Sequence, residues 1–127
     1  MIVVDASALL AIHLAEPERD EFTLRVIGSS SVMSSVNYWE SLVRAQALDR
    51  QDGRDKIDQL LATLQVEIVA PDASTARLAA DAFARFGKRT PAGLNLGDCF
   101  AYALAKQRNA PLLYKGDDFA KTDIVAA

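Results

Sequence analysis

The feature that most constrains this chain is its alternation of two kinds of apolar run. Ile2-Val3-Val4, Val32-Met33, Val66–Val69 and Pro111–Tyr114 are strand-length, whereas the stretches between them repeat their apolar residues at helix spacing. Strands separated by helices imply a parallel sheet covered by helices, and crossover handedness leaves few topologies. The expected order starts with a strand over Met1–Val4, then a short helix over Ser7–Leu14 that Glu16-Pro17 breaks. Pro17 is placed to open a second helix ending at Gly28. After Val32-Met33, closed by Ser34-Ser35, a helix runs from Asn37 through NYWESLVRAQALDR, with Leu42, Ala45 and Leu48 on one face. Gln51-Asp52-Gly53 turns into an amphipathic helix over Arg54–Leu64, whose buried face carries Ile57, Leu60, Leu61 and Leu64. Asp72 and Gly87 are the expected caps of an Ala-rich helix. GKRTPAGLN then reads as a long mobile loop, and LGDCFAYALAKQRN as a helix packed through Phe100, Ala103 and Leu104. No repeat or linker interrupts the 127 residues, so a single α/β domain over residues 1–127 is expected.

Half of the residues are apolar and 24% are charged, enough for a core that needs no staple. The one cysteine, Cys99, excludes an internal disulfide. No apolar run is long enough for a bilayer and nothing like a secretory leader precedes the first strand, so the expected setting is the cytoplasm, without membrane contact. A net charge of −3 argues against a basic-patch nucleic-acid binder. It leaves room for an enzyme whose acidic cluster is neutralised by cations.

The acids therefore matter by position. Ligands of open parallel sheets bind beyond the carboxyl ends of the strands. Asp5 follows the first strand, Asp117 follows the last, and Glu40 and Asp98 each lie near the start of a helix. Four carboxylates at one sheet edge repel each other unless hard cations hold them. With only His13 and Cys99 to offer nitrogen or sulfur, the donor set fits Mg2+ or Mn2+ better than Zn2+. Carboxylate-held Mg2+ is the apparatus of phosphodiester hydrolysis. Singly, each acid also has a structural reading. Asp5 caps the helix near Ser7; Glu40, three residues after Asn37, fits a variant capping box; Asp98 complements a helix N-terminus; Asp117 is a turn residue after Gly116.

Four stretches in order, VVDASALLA, NYWESL, LNLGDCFAYALA and LLYKGDDF, resemble the PIN-domain ribonucleases of the VapC type, the toxins of bacterial and archaeal toxin–antitoxin pairs. The resemblance spans nearly the whole chain. It implies a PIN-like three-layer α/β/α sandwich with a central parallel sheet. It further implies a Mg2+- or Mn2+-dependent endoribonuclease acting on structured RNA, notably tRNA, as the toxin of a type II pair. Homodimerisation and inhibition by a small cognate antitoxin come with it. By the same resemblance the catalytic acids fall on Asp5, Glu40, Asp98 and Asp117, with Asp5, Asp98 and Asp117 on the metal and Ser7 in support. Many members carry Thr, Ser or Asn two residues before the last acid, where this chain has Lys115. That lysine is expected to meet a scissile phosphate or to pair with Asp117. Asp118 is the alternative fourth acid, otherwise an outer-shell or capping residue.

Lys88 and Arg89 precede Pro91 in the polar loop and are candidates for RNA phosphate contacts, or simply a solvated loop. Arg44 stands four residues after Glu40, the spacing of a helical ion pair. Tyr38 and Trp39 suit core or dimer packing better than base stacking, and Cys99 suits a small buried hydrophobe. His13 is not required by metal-assisted hydrolysis. The competing function class is a catalytically inactive PIN-like module that binds RNA or protein, against which four retained, mutually repelling acids speak. A phosphatase of the haloacid-dehalogenase kind with Asp5 as nucleophile lacks its second Asp, since Ser7 stands there.

Overall fold

The apolar runs pair as four parallel strands in the order β3-β2-β1-β4. Residues 1–127 are all described by the structure, a computed structural model. Strand β1 (Ile2–Val4) lies between β2 (Ser31–Ser34) and β4 (Leu112–Leu113), and β3 (Val66–Val69) adds to β2. In register, Val3 stands opposite Val32 on one side and Leu112 on the other. Because side chains alternate along a strand, β1 feeds two cores. Ile2 and Val4 pack with Met33 beneath helices α1 (Ala6–His13), α2 (Arg19–Ile27), α3 (Ser35–Leu48) and α4 (Gly53–Leu64). Val3 packs with Val32 and Leu112 beneath α5 (Ala73–Phe86) and α6 (Leu96–Arg108). The result is the expected three-layer α/β/α sandwich around a parallel sheet.

Four elements differ from the sequence reading, each for a local physical reason. Pro17 does not open α2, which starts at Arg19 with Glu18 as an N-cap lacking a side-chain hydrogen bond. Helix α3 starts earlier than Asn37: the Ser34 hydroxyl accepts from the Val36 N–H at 3.2 Å, so the strand passes directly into the helix. Asn37 and Glu40 therefore lie within the helix, and the capping-box reading of that pair is wrong. Leu48 lies 66% exposed near the end of α3, outside the face that Ala45 and Leu42 present to the core. Gly53 is no turn residue. It opens α4, fully covered, where a Cβ would collide with the Ala45 carbonyl of α3.

The polar segment after α5 is pinned rather than loose. Leu94 donates to the Phe86 carbonyl at 2.8 Å, Thr90 to the Gly87 carbonyl at 2.9 Å, and Leu94 is completely buried. Burying a leucine in the α5–α6 core closes what its Gly/Pro content suggests is open. The end of the chain supplies a further feature that its composition hides. Leu112 donates to Val125 and Ala127 donates to Leu112, so residues 125–127 cover the free edge of β4.

Candidate active site

In this strand order the chain moves from β1 to β2 and β3 on one side and returns to β4 on the other. The reversal falls between β1 and β4, where a crevice opens beyond the carboxyl ends of the strands. Asp5 sits in it directly after β1. Its Oδ2 accepts from the Ser7 N–H at 3.0 Å and from the Ser7 hydroxyl at 2.6 Å, which makes it the N-cap of α1 as well. Ser7 in turn accepts from the Lys115 N–H at 3.0 Å, fastening the segment after β4 to the start of α1. Asp5 thus caps α1 and lines the crevice in one geometry.

Glu40 reaches the crevice from α3 and Asp98 from the first turn of α6. Asn37 Nδ2 donates to Glu40 Oε1 at 2.8 Å. Asp98 completes a capping box, its Oδ2 accepting from the Asn95 N–H at 3.0 Å. Asp5, Ser7, Glu40, Arg44, Asp98 and Lys115 line a single cleft of about 330 Å³. Each of the three acids commits one oxygen to the fold and leaves the other without a hydrogen bond.

Electrostatics marks the same three residues. Burial pushes the Asp5 carboxyl from 3.8 up to about 7 against the pull of its Ser7 bonds, and the charges of Asp98 and Glu40 add to the rise. Burial likewise lifts Glu40, with the Asn37 bond opposing and Asp98 adding. Asp98 is raised by burial, lowered by its Asn95 bond, and raised again by the charge of Asp118. The three do not close to joint ligand distance around a point. An all-oxygen set of one buried and two half-buried acids, mutually repelling and half uncommitted, has the donor chemistry of a hard divalent cation site.

At the fourth acidic position the two candidates separate. Both Asp117 and Asp118 are exposed and neither lines the cleft, but only Asp118 acts on Asp98. Lys115 does line the cleft but does not pair with Asp117. Its Nζ is held by Glu16 at 2.6 Å and Glu18 at 3.4 Å. Two carboxylates on the α1–α2 connection outcompete one on a solvated turn.

Lys88 and Arg89 are exposed and are not part of the cleft lining. Arg44 lines it without an ion pair to Glu40, which it influences only through its field. Tyr38 packs on the core with its hydroxyl on Asp58, whereas Trp39 is 62% exposed and belongs to no core. His13 lies outside the cleft lining. Cys99 is buried, and burial first, with the Asp98 charge, pushes its thiol up to about 11. Gly97, Asn95 and Glu16 are neighbours of the acids to which the sequence analysis gives no site role, and Asn37, expected as a cap, is one from inside α3.

The comparisons with known proteins bear on this geometry directly. Residues 2–125 match the PIN domain family. The chain belongs to it, on the VapC ribonuclease branch. Ribonuclease VapC30 of Mycobacterium tuberculosis is 40% identical over 125 residues, covering 97% of this chain and 95% of that protein. Ribonuclease VapC of Mycolicibacterium smegmatis is 40% identical over 127 residues, 98% of each chain. Among solved structures, a toxin–antitoxin complex from Klebsiella pneumoniae superposes with a TM-score of 0.78 at 17% identity, covering 100% of this chain and 97% of that one. VapC20 of Mycobacterium tuberculosis, a sarcin–ricin loop cleaving toxin, superposes with a TM-score of 0.75 at 15% identity over 100% and 98%. The PIN fold thus accounts for the three layers and for a crevice at the β1–β4 reversal. No helix of this PIN domain is long and apolar enough to cross a membrane.

Proposed function

We propose that this PIN domain is a Mg2+- or Mn2+-dependent endoribonuclease, the toxin of a type II toxin–antitoxin pair, that cuts structured RNA of the tRNA class. One observation carries the reading: Asp5, Glu40 and Asp98 line one cleft, each with its carboxyl held above the ordinary range by burial. Asp5 and Asp98 are the residues that would hold the cation, and Asp118, whose charge raises Asp98, would stand nearer to them than the Asp117 that the resemblance implies. Such a cation, when bound, activates water and stabilises charge on the leaving oxygen.

The remaining roles belong to the chain's own groups. Ser7 fixes the orientation of Asp5 through two hydrogen bonds to one oxygen. Glu40, held by Asn37 in the same cleft, is the acid assigned to accept a proton from the attacking water. Arg44 is the cleft's unpaired cation and the group placed to meet an RNA phosphate, in preference to Lys88 and Arg89. A small antitoxin and a second copy of the chain are the protein partners this reading brings with it, and the cytoplasm is its setting. The relatives' designation as VapC ribonucleases and the solved toxin–antitoxin complexes support it.

The test is cleavage of total bacterial RNA, with Mn2+ or chelator, by the wild type and by Asp98→Asn. Asparagine keeps the carbonyl that accepts from Asn95, so the capping box and fold survive while the charge is lost. Discrete Mn2+-dependent ends are expected from the wild type alone, with the variant reduced at least about 100-fold, the order seen when one preorganised charge-stabilising group is removed. Equal cleavage by Asp98→Asn would refute the assignment; cleavage by neither, with no Mn2+ bound, would leave a binding module.

A further inference from the structure

Asn37 is completely buried in the middle of the molecule, in the first turns of α3. Its Nδ2 donates twice, to Glu40 Oε1 at 2.8 Å and to the Gly97 carbonyl of α6 at 3.0 Å. Its Oδ1 is buried without any partner. All of the amide's hydrogen bonds thus run through Nδ2, and the side chain is held here for its donor at the expense of an unpaired buried carbonyl. Both contacts are acceptors, so turning the amide over would lose both bonds. The opposite wall is equally specific. Gly97 is the second residue of α6, a place where glycine weakens a helix. A Cβ there would fall on the Glu40 carboxylate. Glu40 therefore occupies a slot between a donor on its own helix and a glycine on the neighbouring one.

We propose that Asn37 and Gly97 are positioning residues: together they fix the Glu40 carboxylate between α3 and α6, with its second oxygen directed to the substrate cleft. Asn37 supplies the hydrogen bond that sets the rotamer, and Gly97 supplies the space. Neither touches the reacting atoms, so both act through Glu40. The catalytic half of this inference rests on the nuclease reading above; the positioning half does not.

The experiment separates them. Asn37→Leu is nearly isosteric and removes both the donor and the orphaned oxygen. Gly97→Ala attacks the slot from the other side without touching Asn37. Crystal structures of both variants, Mn2+ affinity by calorimetry, melting temperature and RNA cleavage are compared with wild type, Glu40→Gln and the double variant Asn37→Leu/Glu40→Gln. Glu40 is expected to leave its slot in both single variants, with kcat lowered about tenfold or more, KM nearly unchanged, and Asn37→Leu still unfolding in a single cooperative transition. The double variant is expected to be no worse than Glu40→Gln alone, in Mn2+ affinity as in kcat. Glu40 unmoved in Asn37→Leu, or losses that add in the double variant, would overturn the proposal. A wild type that neither binds Mn2+ nor cuts RNA would defeat the nuclease reading, while the position of Glu40 in the variant crystals would still decide the role of Asn37.

Discussion

Asp5 shows how one residue serves fold and site together, and at what cost. As an N-cap it stabilises α1 through Ser7, yet it is 4% exposed and its carboxyl is raised from 3.8 to about 7. A group whose folded-state value is raised binds more protons folded than unfolded, so stability declines as pH rises from about 4 to about 7 and stays lowered above that. A perturbation of this size is worth on the order of 4 kcal/mol. Asp5→Asn keeps a capping acceptor but cannot ionise. In chelator at pH 8 it is expected to melt several degrees above wild type, and at pH 4 about equal to it. Equal melting at both pH values would mean that the buried charge is compensated by something other than a cation. This much is only half legible from the sequence. The strand-ending acid is visible in VVDAS, but its burial and the Lys115 N–H that secures Ser7 depend on a segment more than a hundred residues away.

At the scale of elements, close approach decides what propensity does not. Gly53 looks like a turn glycine because Gln51-Asp52-Gly53 has turn composition. Its position is dictated instead by α3, whose Ala45 carbonyl leaves no room for a Cβ. Gly53→Ala should improve helix propensity and still destabilise the protein by about 1–3 kcal/mol, the usual range for overpacking. Urea unfolding should show a lower midpoint with an unchanged m value, and a midpoint at or above wild type would contradict the close packing of α3 on α4. Helix α3 begins two residues before its expected start because Ser34 caps it, and that shift turns Asn37 from a cap into an interior residue. Caps with local partners, Asp72 with Thr75 and Asn95 with Asp98, involve residues three apart and so belong to a range the sequence exposes. Asp72 is the cap expected for the Ala-rich helix, whereas Asn95, with the same spacing to its partner, plays a capping role the sequence analysis does not assign.

For the whole molecule, the acid cluster links stability to cation binding. A ligand that binds only the folded state adds about 2.7 kcal/mol at a hundred times its dissociation constant. Mn2+ is therefore expected to raise the melting temperature of the wild type and to flatten its decline between pH 4 and 7, an effect that EDTA reverses and Asp98→Asn loses. No shift with Mn2+ at millimolar concentration would count against a cation site. The sequence by itself determined the α/β class and four strands in their places, because strand and helix periods are local patterns, and its resemblance to the VapC-type PIN domains determined the family and named three acids that share the cleft. Only the tertiary structure decided that neither Asp117 nor Asp118 lines the cleft, that Lys115 is held by Glu16 and Glu18, and that Asn37 and Gly97 form the slot for Glu40. Those contacts join residues of separate elements or depend on how a turn faces the cleft. Their distances follow from how the helices dock on the sheet, which no periodicity along the chain records.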